Sequence, residues 1–240
     1  KSRLSYIAVF FGQMTVTVPR RAFIVTGLAG AIGCICPRIA GAATAIVLPA
    51  AAGDRWFSVL HNGNRIGTHT VSYLPETGVT RVKTEIDLLV KIAFFTVFAF
   101  SHRSEETWRA GRLMSLSSET MEHGETLHVE GVATPQGFRV VSKGGPFIAS
   151  AETLTSNSLW TPAVLEQATV VDAQHGGIIG VSARKFADEQ IVIAGRPVRA
   201  TRYTFITPYI AGSIWYDMEN QWVRGEFERD GSKIQYELDA

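Results

Sequence analysis

An all-β fold is predicted: one large, strongly curved antiparallel sheet, an open barrel or β-spiral, wrapping a single short helix. Three observations predict it. Between Val82 and Val90 every second residue is Val82, Thr84, Ile86, Leu88 and Val90, with Lys83, Glu85, Asp87 and Leu89 between them, the period-2 pattern of a strand with one face on a core. Runs of β-branched and aromatic residues recur at short intervals with turn chemistry between them. The signals amount to about 12 strands, more than a flat open sheet holds without curling.

The elements follow in order. Residues 56–60 make a first strand, Asn62-Gly63 a tight hairpin, and residues 66–73 the return. Pro75 to Gly78 leads into the long pair spanning Val82 to Trp108, expected at the middle of the sheet. Ala110-Gly111 turns toward residues 113–121, and His123-Gly124 toward 126–133. Pro135-Gln136-Gly137 leads to 138–142. Gly144-Gly145-Pro146 then ends the sheet pattern. In the following polar stretch Thr161 stands as N-cap, Pro162 as first helical residue, and Trp160 with Leu165 as a hydrophobic staple. One short helix there most simply packs into the concave face. Strands resume at 177–183, 190–193, 198–206, 215–217, 222–228 and 233–238. No repeat or linker interrupts residues 56–240, which are expected to form one domain.

The first 45 residues read as a leader. They hold Lys1, Arg3, Arg20, Arg21 and Arg38 and no acid. Pro19-Arg20-Arg21-Ala22-Phe23 opens an apolar run to about Cys36, followed by Ala40-Gly41-Ala42-Ala43-Thr44-Ala45. A basic start, an apolar run too short for a membrane span and a small-residue end make a cleavable export signal. It resembles a twin-arginine signal in Arg20, Arg21 and Phe23, and departs from that pattern at Pro19 and Val25. Met14 is a more natural start than Lys1, which makes the first 13 residues an upstream extension. A second reading takes Ala31-Ile32-Gly33-Cys34 as a lipobox, with Ala31 where Leu is usual. Residues 46–55 read as a flexible connection. The expected location is the periplasm, with no transmembrane span in the mature protein.

Composition bounds the function. A hydrophobic share of 46% and a charged share of 19% belong to a globular chain. With the five leader cations set aside, 18 basic side chains face 22 acidic ones, a net charge of −4 that argues against nucleic acid as a partner. Both cysteines, Cys34 and Cys36, lie in the leader, so a mature domain has neither thiol catalysis nor a disulfide. Motifs for zinc hydrolases, serine hydrolases, nucleotide loops and dinucleotide binding are absent. No cofactor and no metal are expected; His61 and His69, flanking one hairpin, are the only weak metal pair.

The best candidate site lies on the second long strand. With its even-numbered side inward, Phe94, Phe98, Phe100 and Trp108 line the concavity with His102, Ser104 and Glu106. His102 and Glu106 stand about 13 Å apart along a strand, so they meet neighbouring strands rather than each other. They would hold a ligand's polar head or work as acid and base. The plainer reading is a satisfied polar ladder. Asp172-Ala173-Gln174-His175-Gly176-Gly177 is a second polar cluster, or simply a loop. Trp160, and Trp215-Tyr216-Asp217 with Trp222, are aromatic candidates for a ligand platform, or core.

Four phrases carry a family resemblance: Asn62-Gly63-Asn64-Arg65-Ile66-Gly67-Thr68-His69, the run from His102-Arg103-Ser104-Glu105-Glu106 through Leu113, Leu159-Trp160-Thr161-Pro162, and Ile214-Trp215-Tyr216-Asp217. Across residues 56–238 the chain resembles an uncharacterised family of exported proteobacterial β-proteins. More distantly it is similar to periplasmic curved-sheet proteins, among them lipoprotein carriers and envelope-integrity factors. Asn is expected where Thr161 stands, and either residue caps a helix. The resemblance implies an envelope protein and transfers no site residue. The leading expectation is a non-enzymatic scaffold that binds an apolar ligand, a lipid or an envelope partner. The alternatives are a hydrolase-type enzyme using His102 and Glu106 or Asp172 and His175, and a structural protein with a filled interior.

Overall fold

The computed structural model describes residues 46, 53–92, 95–122, 124–229 and 232–239. Arg20, Arg21, Phe23 and Cys34, on which the export and lipobox expectations rest, lie outside the described residues, as does Phe94.

Thirteen strands form one antiparallel sheet. Eight come first in the chain: β1 (Arg55–His61), β2 (Asn64–Glu76), β3 (Val79–Ile92), β4 (Phe95–Arg109), β5 (Arg112–Glu122), β6 (Glu125–Thr134), β7 (Gly137–Ser142) and β8 (Gly145–Ala149). A two-stranded hairpin follows, β9 (Thr169–Val171) and β10 (Ile178–Gly180). The sheet then resumes with β11 (Ser182–Ile193), β12 (Arg196–Ile206), β13 (Ala211–Asp217), β14 (Trp222–Arg229) and β15 (Ser232–Leu238). The spatial order is β11-β12-β13-β14-β15-β1-β2-β3-β4-β5-β6-β7-β8. Each half is a meander of consecutive hairpins, and β15 pairs with β1 to join them, with Phe57 opposite Leu238 and His61 opposite Ile234.

The two free edges are therefore β8 and β11, and the chain must travel from one to the other. Residues 150–181 make that journey across the concave face. On one half of the sheet they touch β4, β5 and β7: Asn157 bonds Ser104, the Ala173 carbonyl accepts from Ser118, and the Gly176 carbonyl accepts from Ser142. On the other half the Tyr216 hydroxyl of β13 donates to the Leu159 carbonyl at 2.8 Å. A sheet that grips one segment from both halves is curled around it.

The period-2 pattern of β3 and β4 is realised as expected. Val82, Thr84, Ile86 and Leu88 are buried, and so are Phe98, Phe100, His102, Ser104, Glu106 and Trp108. Register sets Ile86, His102 and Thr120 in one row across β3, β4 and β5, and Thr84, Ser104 and Ser118 in the next.

Three details differ from expectation. The sheet does not stop at Ser142, because β8 adds an edge strand in which Pro146, lacking an N–H, costs nothing on the unpaired side. The strands expected at 177–183 and 190–193 are instead the short β10 and the single edge strand β11, which is exposed on most of its length, so alternation could not reveal it. The helix is two 3₁₀ turns, Ser158–Trp160 and Pro162–Glu166, held by i→i+3 bonds such as Gln167 to the Val164 carbonyl. Thr161 is the N-cap, its hydroxyl accepting from the Ala163 N–H. The β-branched run Thr169-Val170-Val171 then takes the chain extended before an α-helix can propagate.

Aromatic side chains fill much of the remaining interior. Phe57 stacks on Trp222 with ring centroids 4.1 Å apart, Phe227 meets Tyr236 at 5.2 Å, and Trp108 meets Trp160 edge-on at 5.3 Å. Phe227 lies over Gly212, where an added Cβ would come within 2.5 Å of its ring, so that position needs glycine.

Candidate functional site

A segment with little regular structure, laid inside a sheet, brings backbone groups that need partners. The polar stripe on β4 and β5 supplies them. His102, fully buried, places Nδ1 2.8 Å from the Thr120 hydroxyl and Nε2 2.8 Å from the Asn157 amide nitrogen. An amide nitrogen donates, so Nε2 accepts and the ring proton sits on Nδ1, facing Thr120. The same amide donates to Ser104 Oγ at 2.7 Å. Burial pushes the His102 pKa down to about 4, so the ring is neutral at physiological pH.

Glu106, 1% exposed, accepts from the Thr155 hydroxyl on one oxygen and from the Trp108 ring N–H on the other at 3.0 Å. Burial raises its pKa, against the opposing pull of donors from Thr155, Trp108, Trp160 and Ser158. Thr155 also receives the Asn157 N–H at 3.1 Å. His102, Ser104 and Glu106 thus form the floor on which the segment docks. Phe98, Phe100, Trp108 and Trp160 are core side chains of the same interior.

The second polar cluster is also drawn together. Asp172 closes an Asx-type turn, its Oδ1 accepting from the Gln174 and His175 N–H groups at 2.9 and 3.3 Å. His175 places Nδ1 3.1 Å from Asp172 Oδ2 and Nε2 3.3 Å from Glu122 Oε2 on β5. Two carboxylates on one imidazole raise its pKa to about 10, so it is an imidazolium that clamps the β9–β10 loop to the sheet. Gly176 follows with φ +72°, and a Cβ there would lie 2.2 Å from that of Ser142. This loop needs glycine for both reasons.

Between the segment and the β12–β15 half of the sheet lies a cavity of about 140 Å³. His69, Ile86, Phe205, Trp222, Phe227 and Tyr236 form the wall on the sheet side. Leu159, Val164, Leu165, Val170 and Ile179 close it from the segment side. Asn157, Asp172, Gln174 and His175 form one polar margin, and Thr207, Tyr209 and Ile210 of the β12–β13 connection another.

The expected site residues separate on this geometry. His102, Ser104 and Glu106 are not on the cavity wall; Asn157 stands on it with its amide turned to His102 and Ser104. Asp172 and His175 are on the wall. Trp215, a candidate for a ligand platform or core, lies on the opposite face of the sheet in a small cluster with Ala200 and Val223, its ring N–H donating to Glu189 at 2.7 Å. Its neighbours Ile214 and Tyr216 point into the core, as alternation on β13 requires. His61 and His69 do not meet: Phe57 is opposite His69, and His61 lies four residues further along β1, about 13 Å away. Among the described residues no group of three or more His, Cys, Asp or Glu is placed to hold a metal ion.

His69 on β2 is what the sequence reading missed as a wall residue. It stands two residues before Val71 and four before Tyr73, so the inward parity was there to be read. The cavity itself carried no local signal, because its walls come from five strands of the sheet, the β12–β13 connection and residues 156–181.

Fold and site together define an all-β protein with an open, curled sheet, an internal plug and a small, mainly apolar cavity between them. The chain belongs to the family described as a domain of unknown function, DUF6134, whose model matches residues 57–239. No curated protein matches the chain. Among solved structures it is similar to the β-barrel-like protein of domain of unknown function DUF1849 from Brucella abortus, at 8% identity and a TM-score of 0.57. That match covers 78% of this chain and 94% of the other. Among the described residues no helix is long and apolar enough to cross a membrane.

Proposed function

We propose that this chain is an exported, non-enzymatic β-scaffold that holds a small apolar ligand in the cavity between its sheet and residues 150–181. The cavity carries the proposal: its wall is mainly aliphatic and aromatic, with polar groups confined to the margins. Its volume narrows the ligand class. About 140 Å³ is below the range of roughly 300–1,000 Å³ that drug-sized ligands occupy, and close to the ~150 Å³ of an apolar cavity that takes benzene. A whole phospholipid does not fit unless the segment moves, so a small molecule is favoured over a lipid.

The enzymatic alternative is less well supported. The lone pair of His102 is occupied by Asn157, and both nitrogens of His175 face carboxylates, which suits anchoring better than proton transfer. The filled-interior alternative leaves the cavity unexplained. Export rests on Arg20, Arg21, Phe23 and the apolar run after them, and is checked by fractionating cells that express the full chain.

Native mass spectrometry of protein purified without detergent tests the binding. A reproducible adduct lighter than a phospholipid is expected. Bare protein in every preparation, with no small apolar compound retained on titration, would remove the reading.

A further inference from the structure

His69 raises a question that its packing does not answer. It is 5% exposed, and neither ring nitrogen has a hydrogen-bond partner. Its neighbours are rings: Trp222 edge-on at 5.1 Å, Tyr236 edge-on at 5.6 Å and Phe57 at 6.2 Å. Burial holds its pKa down to about 3, so it is neutral, with one N–H donor and one lone pair. Leaving a buried donor or acceptor unmade is costly, and such groups in native proteins call for an explanation. The ring is part of the cavity wall.

Resting on the binding proposed above, we infer that the cavity selects a small, neutral ring compound bearing one hydroxyl or carbonyl group, which hydrogen-bonds to the His69 imidazole. Three observations set the class. The volume admits a single ring with few substituents. The walls at this end, Trp222, Phe227 and Tyr236, offer edges and faces that favour an aromatic or flat alicyclic body. Charge is excluded at both ends. Beside His69 no ionised partner compensates the desolvation of an ion. At the other margin Asp172, His175 and Glu122 combine two carboxylates with one imidazolium, a net negative cluster that repels an anion. A cation finds no open acceptor at Asp172, since Oδ1 takes two backbone N–H groups and Oδ2 takes His175. Water is a poor substitute occupant, because a held water needs two to four polar partners and the wall around His69 is apolar.

The test is titration of the full chain with phenol, toluene and benzoate, followed by calorimetry and by the ring ¹⁵N signals of His69. Phenol is expected to bind about tenfold more tightly than toluene, the scale of one hydrogen bond made by an otherwise unpaired buried group. It should also move one His69 nitrogen signal. His69→Phe should bring the two affinities together, while His69→Gln, which keeps a hydrogen-bonding group, should retain part of the preference. Equal affinity for phenol and toluene, or ring signals unmoved at saturation, overturns the inference and leaves the cavity as a binding site. Benzoate binding as tightly as phenol overturns the neutrality argument. Binding of none of the three overturns both this inference and the proposed function.

Discussion

His102 and Glu106 show how two titratable side chains can be buried as working parts of a docking surface. Each has one polar atom engaged by the segment that crosses the sheet and the other by the sheet itself, so removing a partner costs more than the bond itself. Glu106 gives the sharper test. Its folded pKa is raised above the ordinary value of 4.5, mainly by burial. A raised carboxylate favours folding below the unfolded pKa and loses that contribution as pH rises through the folded one. Glu106→Gln should therefore raise the thermal midpoint at pH 7–8 by a few degrees, about 1 kcal/mol. The gain should vanish near pH 4. Melting curves across that range check it, and an unchanged pH profile would count against a raised pKa.

The same two residues mark how far the sequence could be read at this scale. Even parity on β4 placed His102, Ser104 and Glu106 inside together. Their partners Asn157 and Thr155 lie about 50 positions away, on a segment without periodicity, so no local pattern announced them.

Among the elements, the crossing segment and the hairpin turns invite separate predictions. His175 ties the β9–β10 loop to β5 through two carboxylates, and His175→Leu leaves both buried without their cation. A loss of about 3 kcal/mol is expected, and hydrogen exchange should rise first in residues 150–181 while β3 and β4 stay protected. Uniform loosening of the sheet would contradict the clamp. At the turns, Ala110 holds φ +49° ahead of Gly111 at +73°, the backbone that Asn62-Gly63 adopts with its preferred residues. Ala110→Asn should add about 0.5 kcal/mol by chemical denaturation.

The turn dipeptides were legible for this reason: a two-residue hairpin demands positive φ, and few residues supply it. The 3₁₀ turns were readable as a capped start at Thr161 and Pro162, but their hydrogen-bond type depends on where the chain must go next. Edge strand β11 was not readable as one piece, since an element exposed on both faces has no burial period.

For the molecule as a whole, two buried neutral histidines set the acid limb of stability. His69 and His102 have folded pKa values lowered to about 3 and 4. A lowered histidine contributes stability above its unfolded pKa of 6.5 and loses it as pH falls through the folded value. Unfolding free energy should drop between pH 6.5 and about 4 with a slope approaching two protons, offset in part near the lower end by Glu106. His69→Phe should reduce that slope by about one proton. A slope unchanged by His69→Phe would contradict its buried, neutral state.

The all-β class, the approximate strand count and the curvature were legible because each hairpin is local and so many strands curl rather than stay flat. That the plug runs between the two edges became visible only from the pairing of β15 with β1, a contact spanning nearly the whole domain.

The proposed function requires an apolar cavity behind residues 150–181. Diffraction from crystals pressurised with xenon measures this most directly, since xenon enters dry apolar cavities and not water-filled or side-chain-filled ones. A xenon peak between Trp222, Phe227 and Leu165 is predicted. Crystals that take up xenon elsewhere but not there would contradict it.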